Sequence, residues 1–251
     1  MRHLLRLSGF APFIAVLLLW ALAVAAGAVK PFFLPSPVAV AQAIFDLFFK
    51  YAFWQDVLVT MLRVSVGFAI SAVFALPIGF AMGLNTAAKA FLEPFIDFIR
   101  YTPTPAYVPL FILWFGVGEL EKTVIIFSVV FFQLVLMVAS SVSLVPREIR
   151  EFATVLGVKK KSLFLEVILP HASPRILSDL RISMGWAWSG IMLAEIVGSN
   201  SGIGYVIIQS QRLLLTQNVI AAIIVVGIIG VAIDSCFRWV DANYFYWKEV
   251  A

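Results

Sequence analysis

Four stretches of this sequence, residues 7–29, 64–88, 123–146 and 213–233, contain no charged side chain. An α-helix rises about 1.5 Å per residue, so ~20 apolar residues cross the ~30 Å hydrocarbon core of a bilayer. Each of the four is long enough. Two further apolar stretches carry charge only near their ends: Asp97 and Arg100 open residues 95–118, and residues 174–198 hold Asp179 and Arg181 near one end and Glu195 near the other. With the second and last stretches extended to their helical limits, six transmembrane helices are expected at 7–29, 58–88, 95–118, 123–146, 174–198 and 213–239. They form a single all-α unit over residues 1–251.

Composition agrees. The chain is 62% hydrophobic and 13% charged, with a mean hydropathy of +1.01. A soluble domain has roughly 45–50% apolar and about 25% charged residues, and a disordered or collagenous chain departs further still. The formal net charge of +4 is spread along a lipid-soluble chain and reads as topology rather than as a nucleic-acid surface. Cys236 is the only cysteine, and His3 and His171 are far apart, so no disulfide framework and no local metal motif are expected.

Arg2 and Arg6 precede the first span, and Ala26-Gly27-Ala28 resembles a signal-peptidase site, yet the apolar run exceeds the usual ~7–15 residues of a signal core. It is read as a retained anchor. The connection between spans four and five carries Arg147, Arg150, Lys159, Lys160, Lys161, Arg175 and Arg181, more than any other. Positive residues stay on the cytoplasmic side, which puts both termini there and leaves Lys30, Lys50, Arg63, Lys122 and Arg212 on or near the outer side.

Pro77 lies inside span two, and Pro103, Pro105 and Pro109 cluster in span three. Such breaks are tolerated at membrane depth where protein or a water-filled cavity satisfies the freed carbonyls, so span three is expected to line a path. Gly79 and Gly83 form a G-x-x-x-G pair that either marks close helix packing or arises by chance.

The segment 146–173 is polar yet patterned. Ile149, Phe152, Ala153 and Leu156 fall on one helix face, after Pro146 and before Gly157. Beyond Lys159-Lys160-Lys161, Ser162 is expected to cap a short second helix that Pro170 ends. Attraction of three lysines to anionic lipid explains the charge but neither the glycine nor the mixed charges around an apolar face. A docking knob for a cytoplasmic partner requires both.

Glu151-Phe152-Ala153, three residues, Gly157, nine residues, then Val167-Ile168-Leu169-Pro170 resembles the E-A-A-x3-G-x9-I-x-L-P loop of permease subunits of binding-protein-dependent ABC importers. Phe152 replaces the usual alanine and Val167 the usual isoleucine; both positions stay apolar. Leu34-Pro35-Ser36-Pro37, the run Pro109 to Gly116, and Ala194-Glu195 with Ser201-Gly202-Ile203-Gly204-Tyr205 are similar to the nitrate, sulfonate and taurine branch of that family. The resemblance implies a type I importer fold and a homodimer in the bacterial inner membrane. It also implies two copies of a partner ATPase that binds the ATP and Mg, and an extracytoplasmic solute-binding protein. Glu151, Phe152, Ala153, Leu156, Gly157, Val158, Leu169 and Pro170 would then be the ATPase-coupling segment.

No Walker A, G-x-S-x-G or H-E-x-x-H pattern occurs, so the chain is expected to have no enzymatic activity and no cofactor of its own. For an oxyanion such as nitrate, a sulfonate or taurine, Arg100, Tyr101, Thr102 and Thr104 are candidate path residues, with Asp97 an expected i,i+3 partner of Arg100. Glu195 has no evident local partner and reads as a solvated helix end or a gate residue. An ion-coupled secondary transporter would need inverted repeats and mid-membrane carboxylates, neither of which is visible, and a cargo-free scaffold would leave span three and the loop as coincidences.

Overall fold

The computed structural model describes residues 11–245. The side chain of Ala153 is outside that description, as are Arg2, His3, Arg6 and Lys248. Every regular element among the described residues is helical: α1 Ala11–Ala25, α2 Pro37–Lys50, α3 Phe53–Leu84, α4 Thr86–Arg100, α5 Thr104–Phe115, α6 Glu119–Ser143, α7 Arg147–Val155, then a turn at Lys160–Ser162, a π-helix at Leu163–Ile168, α8 Leu169–Gly198, α9 Ile203–Arg212 and α10 Thr216–Tyr244.

Three of these helices, α3, α6 and α10, are long and apolar enough to cross a membrane, and the rod from Lys160 to Gly198 with α9, bent by 47°, makes up to a fourth crossing. The first expected span is the apolar 15-residue α1. The third is two pieces. Asn85 Oδ1 accepts the N–H groups of Ala87 and Ala88 to cap α4, whose amphipathic helix stops at Arg100, and α5 resumes at Thr104. The break at 101–103 follows from Pro103 and Pro105, which remove two donors and disfavour helix before each ring.

Ahead of the crossings, Ser36 caps α2 by accepting the Ala39 N–H at 3.2 Å, and Pro37 sits in the first turn, where its missing donor costs nothing. The Trp20 indole N–H donates to the Pro35 carbonyl at 2.9 Å and the Thr216 hydroxyl to the Phe32 carbonyl at 2.7 Å, fixing the 26–36 connection between α1 and α10.

The core centres on α6, where Ile125, Ile126, Val130, Leu134, Val135, Val138 and Val142 have no exposed surface. α3 lies against one side of it. A Cβ on Gly67 would come 2.7 Å from Ile126, one on Gly79 2.7 Å from Val138, and one on Gly83 2.7 Å from Val142. Ser71 and Ala75 continue that row at four-residue spacing, and both are fully buried. The G-x-x-x-G pair is therefore part of a longer small-residue face that lets two backbones approach. α8 covers another side of α6, with Gly190 facing Val129 and the Ser141 hydroxyl donating to Asp179 at 2.6 Å.

The helix after the lysine run departs from expectation. Ser162 makes no capping bond, and Pro170 does not end the helix but lies in the first turn of α8. In the preceding π-helix the Leu169 N–H donates to the Phe164 carbonyl, five residues back. That wider turn shifts the carbonyls that a proline ring would otherwise meet, so one rod runs from Lys160 to Gly198.

Gly79→Leu will force α3 off α6 and cost about 1–3 kcal/mol, as overpacked cores do. Thermal unfolding in mild detergent should show a lower midpoint for this variant and an unchanged one for Gly227→Ala, whose added Cβ would meet nothing within 4 Å.

Candidate functional site

Asp56, Thr60 and Arg63 are spaced i, i+4, i+7 and share one face of α3. All three point into a polar cluster at the ends of α3, α6 and α8. Arg63 is 8% exposed. Its Nε and Nη2 donate to Glu119 Oε2 and Oε1 at 2.8 and 2.5 Å, and its Nη1 donates to Glu195 Oε1 at 2.8 Å and to the Ser201 carbonyl at 2.8 Å.

Glu195 has no exposed surface. It also accepts the Thr60 hydroxyl at 2.9 Å and the Gly204 N–H at 2.9 Å, while Thr60 Oγ1 accepts the Ile203 N–H and Asp56 Oδ1 accepts the Gly202 N–H. A Cβ on Gly202, whose φ is +108°, would lie 2.3 Å from Glu195 Oε1. Gly202-Ile203-Gly204 is thus a backbone cradle for a carboxylate of the same chain. Nearby, Lys122 Nζ donates to the carbonyls of Gly118 and Gly198 at 3.1 and 3.0 Å and lies 3.6 Å from Glu121.

The cluster's bonds are internal, which makes it a clamp joining three helices and the 199–202 connection. The reading of Glu195 as a solvated helix end is overturned, because the side chain is fully buried and its cation is Arg63, 132 residues away in sequence. The Asp56, Thr60, Arg63 spacing was the available signal, because an apolar helix buries such a row only against matching groups.

A second polar region surrounds a cavity of about 120 Å³ where Arg100, Thr102 and Thr104 meet Tyr107, Ser128, Gln133 and Trp186 from α5, α6 and α8. Three of the four expected path residues therefore converge. The fourth does not: Tyr101 is outside the lining, its ring 4.8 Å from the Arg100 guanidinium carbon. Arg100 Nη2 donates to Asp97 Oδ1 at 2.9 Å, as the spacing predicted. The wall is polar, but the Thr102, Tyr107 and Ser128 hydroxyls donate to the carbonyls of Phe98, Ile99 and Ile125 and Arg100 is paired with Asp97, so Thr104, Gln133 and the remaining guanidinium N–H groups are donors left to face the cavity. Ser128, Gln133 and Trp186 belong to elements distant in sequence, so nothing local linked them to Arg100.

The 146–173 segment folds as α7, a glycine turn and the π-helical lead-in to α8. Phe152 is 67% and Leu156 65% exposed, Glu151 is exposed, and Val158, Leu169 and Pro170 are half-buried. Gly157 turns the chain with φ +76° and open space where a Cβ would stand. An apolar helix face is thereby left uncovered on a rigid turn.

Residues 75–246 match the family described as binding-protein-dependent transport system inner membrane component. The chain is 31% identical over 234 residues, 93% of its length and 85% of the relative, to a putative aliphatic sulfonates transport permease protein of Bacillus subtilis. It is 30% identical over 224 residues, 87% of its length and 82% of the relative, to a taurine transport system permease protein of Escherichia coli. Its fold matches a chain of the MetNI methionine ABC transporter in an inward-facing conformation with a TM-score of 0.66 at 16% identity, covering 73% of this chain and 91% of that one.

Arg63→Met will leave Glu195 buried without its cation and cost about 3–5 kcal/mol, whereas Arg63→Met with Glu195→Met will recover part of that loss. Tryptophan-fluorescence unfolding in detergent measures both, and a single variant as stable as the parent would contradict the clamp.

Proposed function

The chain belongs to the family of binding-protein-dependent transport system inner membrane components, and from that premise we propose how it works. It is a permease subunit of an ABC importer and a multi-pass membrane protein. In our reading it carries a small oxyanion, a sulfonate, taurine or a comparable anion, across the bacterial inner membrane by alternating access. The relatives' sulfonate and taurine permeases support that substrate class. So does the Arg100 cavity, where a guanidinium stands beside the Thr104 hydroxyl and the Gln133 amide.

Six crossings with both termini in the cytoplasm place α7 and Gly157 inside the cell and the Arg63 clamp at the outer end. Two copies of the chain pair across the path, two copies of an ATPase dock on the two α7 knobs, and a solute-binding protein delivers cargo from outside. ATP and Mg belong to the ATPase, and this chain contributes no catalytic residue. Glu151, Phe152, Ala153, Leu156, Gly157, Val158, Leu169 and Pro170 form the coupling surface. The observation that carries this assignment is the exposed apolar face of Phe152 and Leu156 held beside a left-handed glycine. A short rigid helix transmits closure of two ATPases where a flexible loop would absorb it.

Two substitutions separate the roles. Gly157→Arg, strained at positive φ and bulky in the docking face, will lose the ATPase on co-purification in mild detergent and abolish uptake. Arg100→Ala will keep the ATPase and lose uptake at least about tenfold, since one charge-assisted contact is worth at least about 1.5 kcal/mol. Unchanged uptake in Arg100→Ala would remove that residue from the path.

A further inference from the structure

A second cavity, about 410 Å³, shares no residue with the Arg100 cavity and lies where α9 and the start of α10 meet the end of α2 and the first turn of α3. That is within the ~300–1,000 Å³ range of sites for small molecules. Its wall has a definite chemistry. Asp56 is the one formally charged side chain in the lining, and no cation lines it. Asp56 Oδ1 accepts the Gly202 N–H at 2.7 Å, while Oδ2 makes no hydrogen bond among the described residues.

Ser210 is 5% exposed and lines the cavity, yet its hydroxyl bonds to no other residue. That hydroxyl opens onto the cavity and is available to a ligand atom there. The side chains of Tyr205, Gln209 and Asn218 also line it without a hydrogen-bond partner. Tyr51 adds a second aromatic ring to the wall, and apolar side chains supply the rest. Near the cavity Lys50 is taken up by Asp46 at 2.8 Å, and Arg212 follows Ser210 by two residues without lining the wall.

We propose that this cavity binds a small organic cation bearing an ammonium group. The ammonium sits on Asp56 Oδ2, its alkyl groups lie against the rings of Tyr51 and Tyr205, and the polar remainder bonds to Gln209, Ser210 and Asn218. A carboxylate and tyrosine faces together favour an alkylammonium and disfavour any anion. The site is separate from the cargo path and does not depend on the transport reading. Because Asp56 also holds Gly202, the bound cation rests on the same residue that anchors the Glu195 cradle. The ammonium comes either from a free solute or from an ethanolamine lipid headgroup.

The test is calorimetric titration of the detergent-purified, delipidated chain with ethanolamine and with choline, using neutral dimethylbutanol, the carbon isostere of choline, as the uncharged control. The expected result is saturable binding of at least one cation, none of the neutral isostere, and cation binding at least about tenfold weaker in Asp56→Asn, which keeps the acceptor for Gly202. Asn218→Leu gives a second variant at the wall that leaves that bond untouched, and it too should weaken binding. Native mass spectrometry after reconstitution in mixed lipid distinguishes the sources. Retention of phosphatidylethanolamine over phosphatidylglycerol, lost in Asp56→Asn, assigns the ammonium to lipid, and cation binding without that preference assigns it to a free solute. Absence of both cation binding and lipid preference, equal binding of the neutral isostere, or unchanged behaviour in Asp56→Asn would overturn the proposal.

Discussion

One guanidinium organises one end of this helical bundle. A buried Arg63 would cost several kcal/mol in an apolar bundle were it not neutralised, and Glu119 and Glu195 supply two carboxylates from two other helices. Removing Arg63 would strand the fully buried Glu195, so α3 and α8 are held together at that end, with Glu119 of α6 on the same guanidinium. The 199–204 segment is part of the same solution. Its N–H groups at Gly202, Ile203 and Gly204 are spent on Asp56, Thr60 and Glu195, which satisfies a loop that would otherwise carry unpaired donors near hydrocarbon.

The helix that ends at this clamp begins beside α7, the proposed coupling surface. α8 has 30 residues, about 45 Å of rise, and the π-helix and the turn at Lys160–Ser162 extend it to the glycine turn after α7. A displacement at α7 is therefore applied to the same rod that carries Glu195. Between the two ends the rod passes Trp186, which lines the Arg100 cavity. In the proposed mechanism this gives a single mechanical element that touches the ATPase contact, the path and the outer clamp. The π-helix is the place where that rod has a shifted hydrogen-bond register, and such segments recur at functional positions.

Much of this was legible in the sequence because the bilayer imposes a simple rule. Uninterrupted apolar runs named the long helices α3, α6 and α10, and the proline cluster named the break before α5, since each proline forfeits a donor at a predictable position. The Asp97 and Arg100 pair and the positive φ of Gly157 followed from local spacing. What could not be read were relations between distant segments. Glu195 is paired with Arg63, and Ser128 and Gln133 line the same cavity as Arg100, relations that cross between helices far apart in the chain. Pro170 failed differently: a rule valid for an α-helix ends the helix there, but the π-turn changes which carbonyl the ring meets. The helix α2, between the first two crossings, had a readable start in Ser36-Pro37 that the search for long apolar runs passed over.

The central claim is that ATP hydrolysed by a partner drives cargo through this chain. Proteoliposomes containing the permease with its co-purified ATPase, supplied with a binding protein and labelled taurine or alkylsulfonate, measure it directly. Accumulation that requires ATP on the ATPase side and persists when ionophores collapse proton and sodium gradients is the predicted result. Accumulation that proceeds without ATP and disappears with those ionophores would contradict the account and return the chain to the ion-coupled carriers.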